Sequence, residues 1–117
     1  MKKTSHQNQR INGEVQRELS RIISMEIKDP RINPMTSVTD VIVTPDLKYC
    51  KAYISVLGDE ESAKETIRGL ESANGYIRRE LARSINLRNT PELSFVLDNS
   101  IEYGISMSKK IDEIINN

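Results

Sequence analysis

Apolar residues recur early in the chain at Ile11, Val15, Leu19, Ile22 and Ile23, the spacing that turns one face of a helix toward a core. The spacing predicts a helix over residues 8–27, ended by Asp29-Pro30, because proline disfavours helical backbone in the residue before it. The period then falls to two. Thr36 to Thr44 and Tyr49 to Val56 alternate and are rich in β-branched residues, and Pro45-Asp46-Leu47-Lys48 between them supplies a turn, so an antiparallel hairpin is expected. In its second strand Cys50, Ala52, Ile54 and Val56 share a buried face, and Tyr49, Lys51, Tyr53 and Ser55 a wetter one. Tyr53 is expected to pack under a helix.

Gly58-Asp59 stops that strand. Asp59 is a good N-cap, and Glu60 and Glu61 suit the positive end of a helix dipole, so a second helix should run to about Ala73. Asn74-Gly75 then interrupts the apolar stripe of Ile67, Leu70, Ile77, Leu81 and Ile85. Glycine costs roughly 1 kcal/mol against alanine inside a helix, and asparagine and glycine tolerate a positive φ, so a kink is expected there. The third helix would open with free backbone N–H groups beside Arg78, Arg79 and Arg83, a setting suited to an anion such as phosphate. With Ile77, Leu81 and Ile85 inward, Arg79 and Arg83 face away from the core and Arg78 lies at the boundary. Arg79 and Arg83 form a like-charge pair four residues apart, a broken local rule of the kind that marks function. Asn89-Thr90-Pro91 leads to a third strand over Glu92 to Leu97, and Asp98-Asn99-Ser100 caps a last helix over 101–115, in which Gly104 has no explanation from pattern.

The 117 residues suit one domain, over 1–117 with 1–7 and 116–117 expected to be flexible, that buries about two thirds of its unfolded surface. No apolar run is long enough to span a bilayer, and Met1 to Arg10 lacks the apolar segment of a secretory signal, so a cytoplasmic protein is expected. Cys50 and His6 are each alone. They exclude an internal disulfide, a zinc site and a Cys/His catalytic pair, and no phosphate loop or other nucleophile is identifiable, so neither enzymatic activity nor a cofactor is expected. Net charge is zero but polarised. From Arg68 to Arg88 stand five arginines (Arg68, Arg78, Arg79, Arg83 and Arg88) against Glu71 and Glu80, while Asp59-Glu60-Glu61 concentrates acid elsewhere. Arg10, Arg17, Arg21 and Lys28 fall on one stripe of the first helix, readable as a solvated face flanked by Glu14 and Glu18 or as a phosphate-tracking one. Lys28 and Arg31 either cap that helix or present charge to a partner, and Lys48 and Lys51 share the less buried face of the hairpin with Tyr49 and Tyr53.

The order helix, strand, strand, helix, kink, helix, strand, plus a C-terminal helix, resembles a type II KH domain: an α+β fold with a three-stranded sheet packed against helices. That family's Gly-x-x-Gly is replaced here by Ser72-Ala73-Asn74-Gly75. An Ala-x-Gly kink belongs to the KH-like ribosome-binding factor A family, which Ala73-Asn74-Gly75 resembles. Lys28-Asp29-Pro30-Arg31, Asp46-Leu47, Pro91-Glu92-Leu93 and Asp98-Asn99-Ser100 resemble it too, in the same order and over nearly the whole chain. The resemblance implies a monomeric bacterial assembly factor that binds the immature 30S subunit and its 16S rRNA precursor and supports late maturation, notably in the cold. It implies RNA contact through Ala73, Asn74, Gly75, Arg78, Arg79, Arg83 and Arg88, with Arg10, Arg17, Arg21, Lys28, Arg31, Lys48 and Lys51 as further candidates. Loss of Gly-x-x-Gly favours recognition of shape and phosphate over a short base sequence. The alternative is a module that docks on a ribosomal protein or an assembly GTPase.

Overall fold

The computed structural model describes residues 6–98. The elements are α1 (His6–Met25), β1 (Thr36–Val43), β2 (Tyr49–Val56), α2 (Glu60–Ser72), α3 (Asn74–Ser84) and β3 (Glu92–Leu97). The sheet order is β1-β2-β3. β1 and β2 form the antiparallel hairpin, with Val43 opposite Cys50 and a bulge between Val38 and Asp40. β3 lies parallel to β2, with Leu93 opposite Cys50. A parallel neighbour needs a crossover, and α2 and α3 provide it.

The three helices cover one face of the sheet. Val15, Leu19 and Ile22 of α1, Leu70 of α2, and Ile77 and Leu81 of α3 are buried in one cluster with Val41, Val43, Cys50, Ala52, Ile54 and Phe95. Cys50 is the buried strand residue its alternation predicts, and burial pushes its thiol up to about 12. Tyr53, on the opposite side of β2 from the three described helices, is half-buried. The predicted helix over 101–115, with Gly104, lies outside the described residues.

Several features of the packing were not visible as periodicity. α1 ends at Met25 rather than near Ile27, with Glu26 N and Ile27 N both donating to Ile22 O at 2.9 and 3.2 Å. Lys28 is therefore off the helix and off its basic stripe. Neither Lys28 nor Arg31 caps α1: no basic residue lies in its last turn, and Arg31 instead forms a fork with Asp29, Nε to Oδ1 at 3.1 Å and Nη2 to Oδ2 at 2.7 Å. The Asp29–Ile32 segment seats on α2 at Gly69, where an added Cβ would lie 2.8 Å from Ile32 Cγ1. Fully buried Thr66 fastens the same segment, accepting from Asn33 N at 3.1 Å and donating to Ser62 O at 2.9 Å. In the hairpin turn, buried Leu47 takes a φ of 61°, a left-handed conformation that a leucine adopts only when the surroundings hold it there.

α1 also runs along the outer edge of β1. Asn12 Oδ1 accepts from Val43 N at 2.9 Å, and Gln16 Nε2 donates to Val38 O at 3.0 Å. These long amides occupy main-chain groups that an edge strand would otherwise leave unpaired.

Candidate nucleic-acid interface

Helix α2 begins as its sequence dictates, with Asp59 Oδ1 accepting from Ser62 N at 2.7 Å and Glu60 and Glu61 in the first turn. It ends at Ser72, and α3 starts at Asn74, so the corner turns on the single residue Ala73. Ala73 has φ −91° and ψ 5°; its N–H still reaches Gly69 O and Leu70 O at 3.1 Å, and its carbonyl accepts from Ile77 N at 2.9 Å. No described glycine has a positive φ, so the kink does not draw on the left-handed freedom expected of Asn74-Gly75. Gly75 is exposed, and a Cβ added there would meet nothing within 4 Å. Packing within the described chain therefore places no demand on the glycine.

Asn74 fixes the corner to the sheet. Its Nδ2 donates to Leu93 O in β3 at 3.1 Å, while no side chain caps the start of α3. One turn later Arg78 Nη2 donates to Thr90 O at 2.7 Å, and Ile77 and Leu81 are buried beneath. α3 is thus held along its inner side, and Arg79 and Arg83 are exposed on its outer side. Arg83 is 74% exposed, with Glu80 as its nearest acid at 3.3 Å. Exposed ion pairs of this kind contribute little, so Arg83 can exchange Glu80 for another anion at small cost. Arg79 has no carboxylate partner among the described residues, and neither has Arg88.

The tertiary structure brings a further part of the basic set to this end of the sheet. Asn89 Nδ2 donates to Leu47 O at 2.8 Å, and Glu92 N donates to Lys48 O at 2.9 Å. The loop carrying Arg88 is thereby joined to the turn carrying Lys48, and Lys51 is exposed on the adjoining face of β2.

The α1 stripe divides. Arg17 has no carboxylate partner among the described residues, and Arg10 makes only an exposed 3.4 Å contact with Glu14. Arg21 is fully engaged: it donates to Glu18 at 3.0 Å, to Glu26 at 2.5 Å and to Ser84 Oγ of α3 at 3.0 Å. Glu26 also accepts from Tyr76 Oη at 2.9 Å, and the hydrogen bonds from Tyr76 and Arg21 hold its carboxyl below the ordinary range. Arg21 is therefore a clip between α1 and α3. Arg31 is similarly occupied by Asp29, whose carboxyl that fork lowers to about 2. Among the described residues no group of three or more His, Cys, Asp or Glu could hold a metal ion, and no helix is long and apolar enough to cross a membrane.

A family model described as ribosome-binding factor A matches residues 7–111 of this chain. The chain belongs to the ribosome-binding factor A family. A family member from Lachnospira eligens is 73% identical over 114 residues, 97% of this chain and 88% of that protein. The crystal structure of ribosome-binding factor A from Thermus thermophilus shares the fold with a TM-score of 0.69 at 23% identity, over 77% of this chain and 94% of that one. A second Thermus thermophilus family structure, a homology model fitted into a cryo-electron-microscopy map of a 30S complex, matches with a TM-score of 0.55 at 27% identity, over 74% and 93% of the two chains. The α+β architecture expected from the KH-like order is the family's fold.

Proposed function

We propose that this protein binds the 30S ribosomal subunit and contacts its 16S rRNA, acting as a monomeric cytoplasmic factor in late 30S maturation and 16S rRNA processing, including growth in the cold. Its contribution is binding free energy and not catalysis: an arrangement of immature RNA that fits the protein is favoured over those that do not, and release follows when the mature subunit no longer fits. The observation that carries this reading is the outer side of α3. Arg79 and Arg83, joined by Arg88, present charge that acids do not neutralise or neutralise only weakly, on a helix held to the sheet through Asn74 and Arg78. The Thermus family structure fitted as a 30S complex supports the choice of partner. Arginine suits the task because its planar fork can take two phosphate oxygens and stack on a base. Open space at Gly75 leaves the corner approachable by a sugar-phosphate backbone. Arg17 and Lys48 are further candidate contacts and Lys51 stands on the other face of the sheet, whereas Arg21 and Arg31 support the frame from within the protein.

Co-sedimentation with purified 30S subunits tests this. Three phosphate contacts imply that raising salt from about 50 to 200 mM weakens binding roughly 20- to 40-fold. Arg79→Glu with Arg83→Glu should weaken retention steeply and, in the binding that remains, lower the salt dependence by about two phosphate contacts. Retention of that double variant at wild-type levels would remove α3 from the interface.

A further inference from the structure

The stripe of α1 that lies along β1 reads Asn12, Gln16, Ser20, Ser24, one residue per turn. The first two side chains are long enough to reach the strand and do so. The last two are short, and where they face β1 a groove of about 160 Å³ remains, lined by Ser20, Ile23, Ser24, Thr36, Ser37 and Val38. Leu57 N donates to Met35 O at 3.1 Å and Ser37 stands opposite Ser55, so the alternation of an antiparallel ladder turns the main-chain groups of Thr36 and Val38 outward. Gln16 takes Val38 O; no described side chain reaches Thr36 N–H, Thr36 C=O or Val38 N–H.

We infer that this groove receives an extended, uncharged segment of a ribosomal protein, which adds as a strand to the open end of β1. No lining residue carries a charge, so the groove offers a phosphate or an acidic peptide no ion pair, and its electrostatic match is a neutral main chain whose amides pair with Thr36 and Val38. Its surroundings match as well: Met25, Met35 and Leu57 are 72%, 59% and 70% exposed and supply apolar contact for alternate side chains. The groove lies at the opposite end of β1 from the turn that carries Lys48, so one end of the sheet serves a polyanion and the other a polypeptide. The inference rests on the proposed binding to 30S subunits.

The test compares Ser20→Gln with Ser24→Gln, which extend the amide stripe and fill the groove, against Ser20→Ala with Ser24→Ala, which leave it open. Each is measured on purified 30S subunits and on protein-free 16S rRNA, with urea midpoints checking the fold. The glutamine variants should bind subunits at least roughly ten-fold more weakly with an unchanged salt slope, bind protein-free rRNA as wild type does, and the alanine variants should bind both normally. Unchanged subunit binding by the glutamine variants, or an equal loss on naked rRNA, overturns the inference and leaves the arginine face untouched. Failure of the wild-type protein to bind subunits at all overturns the reading beneath it. As a direct readout, p-benzoylphenylalanine placed at position 35 should cross-link to a ribosomal protein on purified subunits; a cross-link to rRNA alone, to the chain itself, or to nothing counts against the groove.

Discussion

Replacing Gly69 by alanine sets two effects of opposite sign against each other. Alanine improves an interior helical position by about 1 kcal/mol. The added methyl, however, would lie 2.8 Å from Ile32 Cγ1 and 3.4 Å from Arg31 Cβ. Cγ1 is bonded directly to the Ile32 Cβ, so it cannot swing clear as a side-chain tip could, and the Asp29–Ile32 segment has to lift. Overpacking of this kind costs roughly 1–3 kcal/mol, which leaves Gly69→Ala less stable by about 1 kcal/mol. The diagnostic experiment is a double-mutant cycle. In an Ile32→Ala background the obstructing atom is gone, and Gly69→Ala should become stabilising by about 1 kcal/mol, a coupling of about 2 kcal/mol between the two sites. Urea unfolding of the four proteins, with midpoints converted at a common m-value, measures it. If Gly69→Ala stabilises both backgrounds equally, the close approach of the Ile32 segment is not what this glycine serves.

Two further outcomes follow from the same region. Thr66→Val keeps the buried volume but leaves Asn33 N–H without its acceptor, and should cost about 1–3 kcal/mol in urea unfolding; Thr66→Ser should recover most of that. The folded carboxyl of Asp29 titrates at about 2, below its ordinary value of 3.8, because of Arg31, so its stabilising contribution is complete above about pH 4 and is lost as pH falls toward 2. Arg31→Gln should move the Asp29 midpoint up toward 3.8 in a carboxyl-carbon NMR titration and flatten stability between those pH values; a wild-type midpoint near 4 would contradict the fork.

Hydrogen-bond partners separate arginines that look alike in the sequence. Arg21, Arg78 and Arg31 are donors that tie separate segments or a turn of the protein together, whereas Arg79 and Arg88 have no carboxylate partner among the described residues and Arg83 has only its exposed contact with Glu80 on the same helix. An interface inferred from charge density alone would weight all six equally. The contacts of the first three hold the frame, and the proposed RNA contact rests chiefly on the last three.

What the sequence determined by itself is whatever depends on neighbours a few residues away. The 3.6-residue recurrence of Val15, Leu19 and Ile22, the alternation of Cys50, Ala52 and Ile54, and the Asp59 cap are local relations, and each element they predicted is present because burying that face or satisfying that terminus is favourable in any fold. The kink too was legible, since a one-residue break leaves its mark in a short stretch. Its mechanism was not. Ala73, not a positive-φ glycine, makes the turn, and Asn74 holds it by bonding a carbonyl nineteen residues away. Gly69 did carry a signal, as an unfavourable residue within a helix, but Ile32 supplied the reason only after the chain had folded. Likewise the joining of the Arg88 loop to the Lys48 turn, the neutralisation of Arg21, and the change from amide to serine along β1 depend on which distant donor meets which carbonyl. Periodicity specifies which face is buried; only packing decides what each remaining polar group finds there.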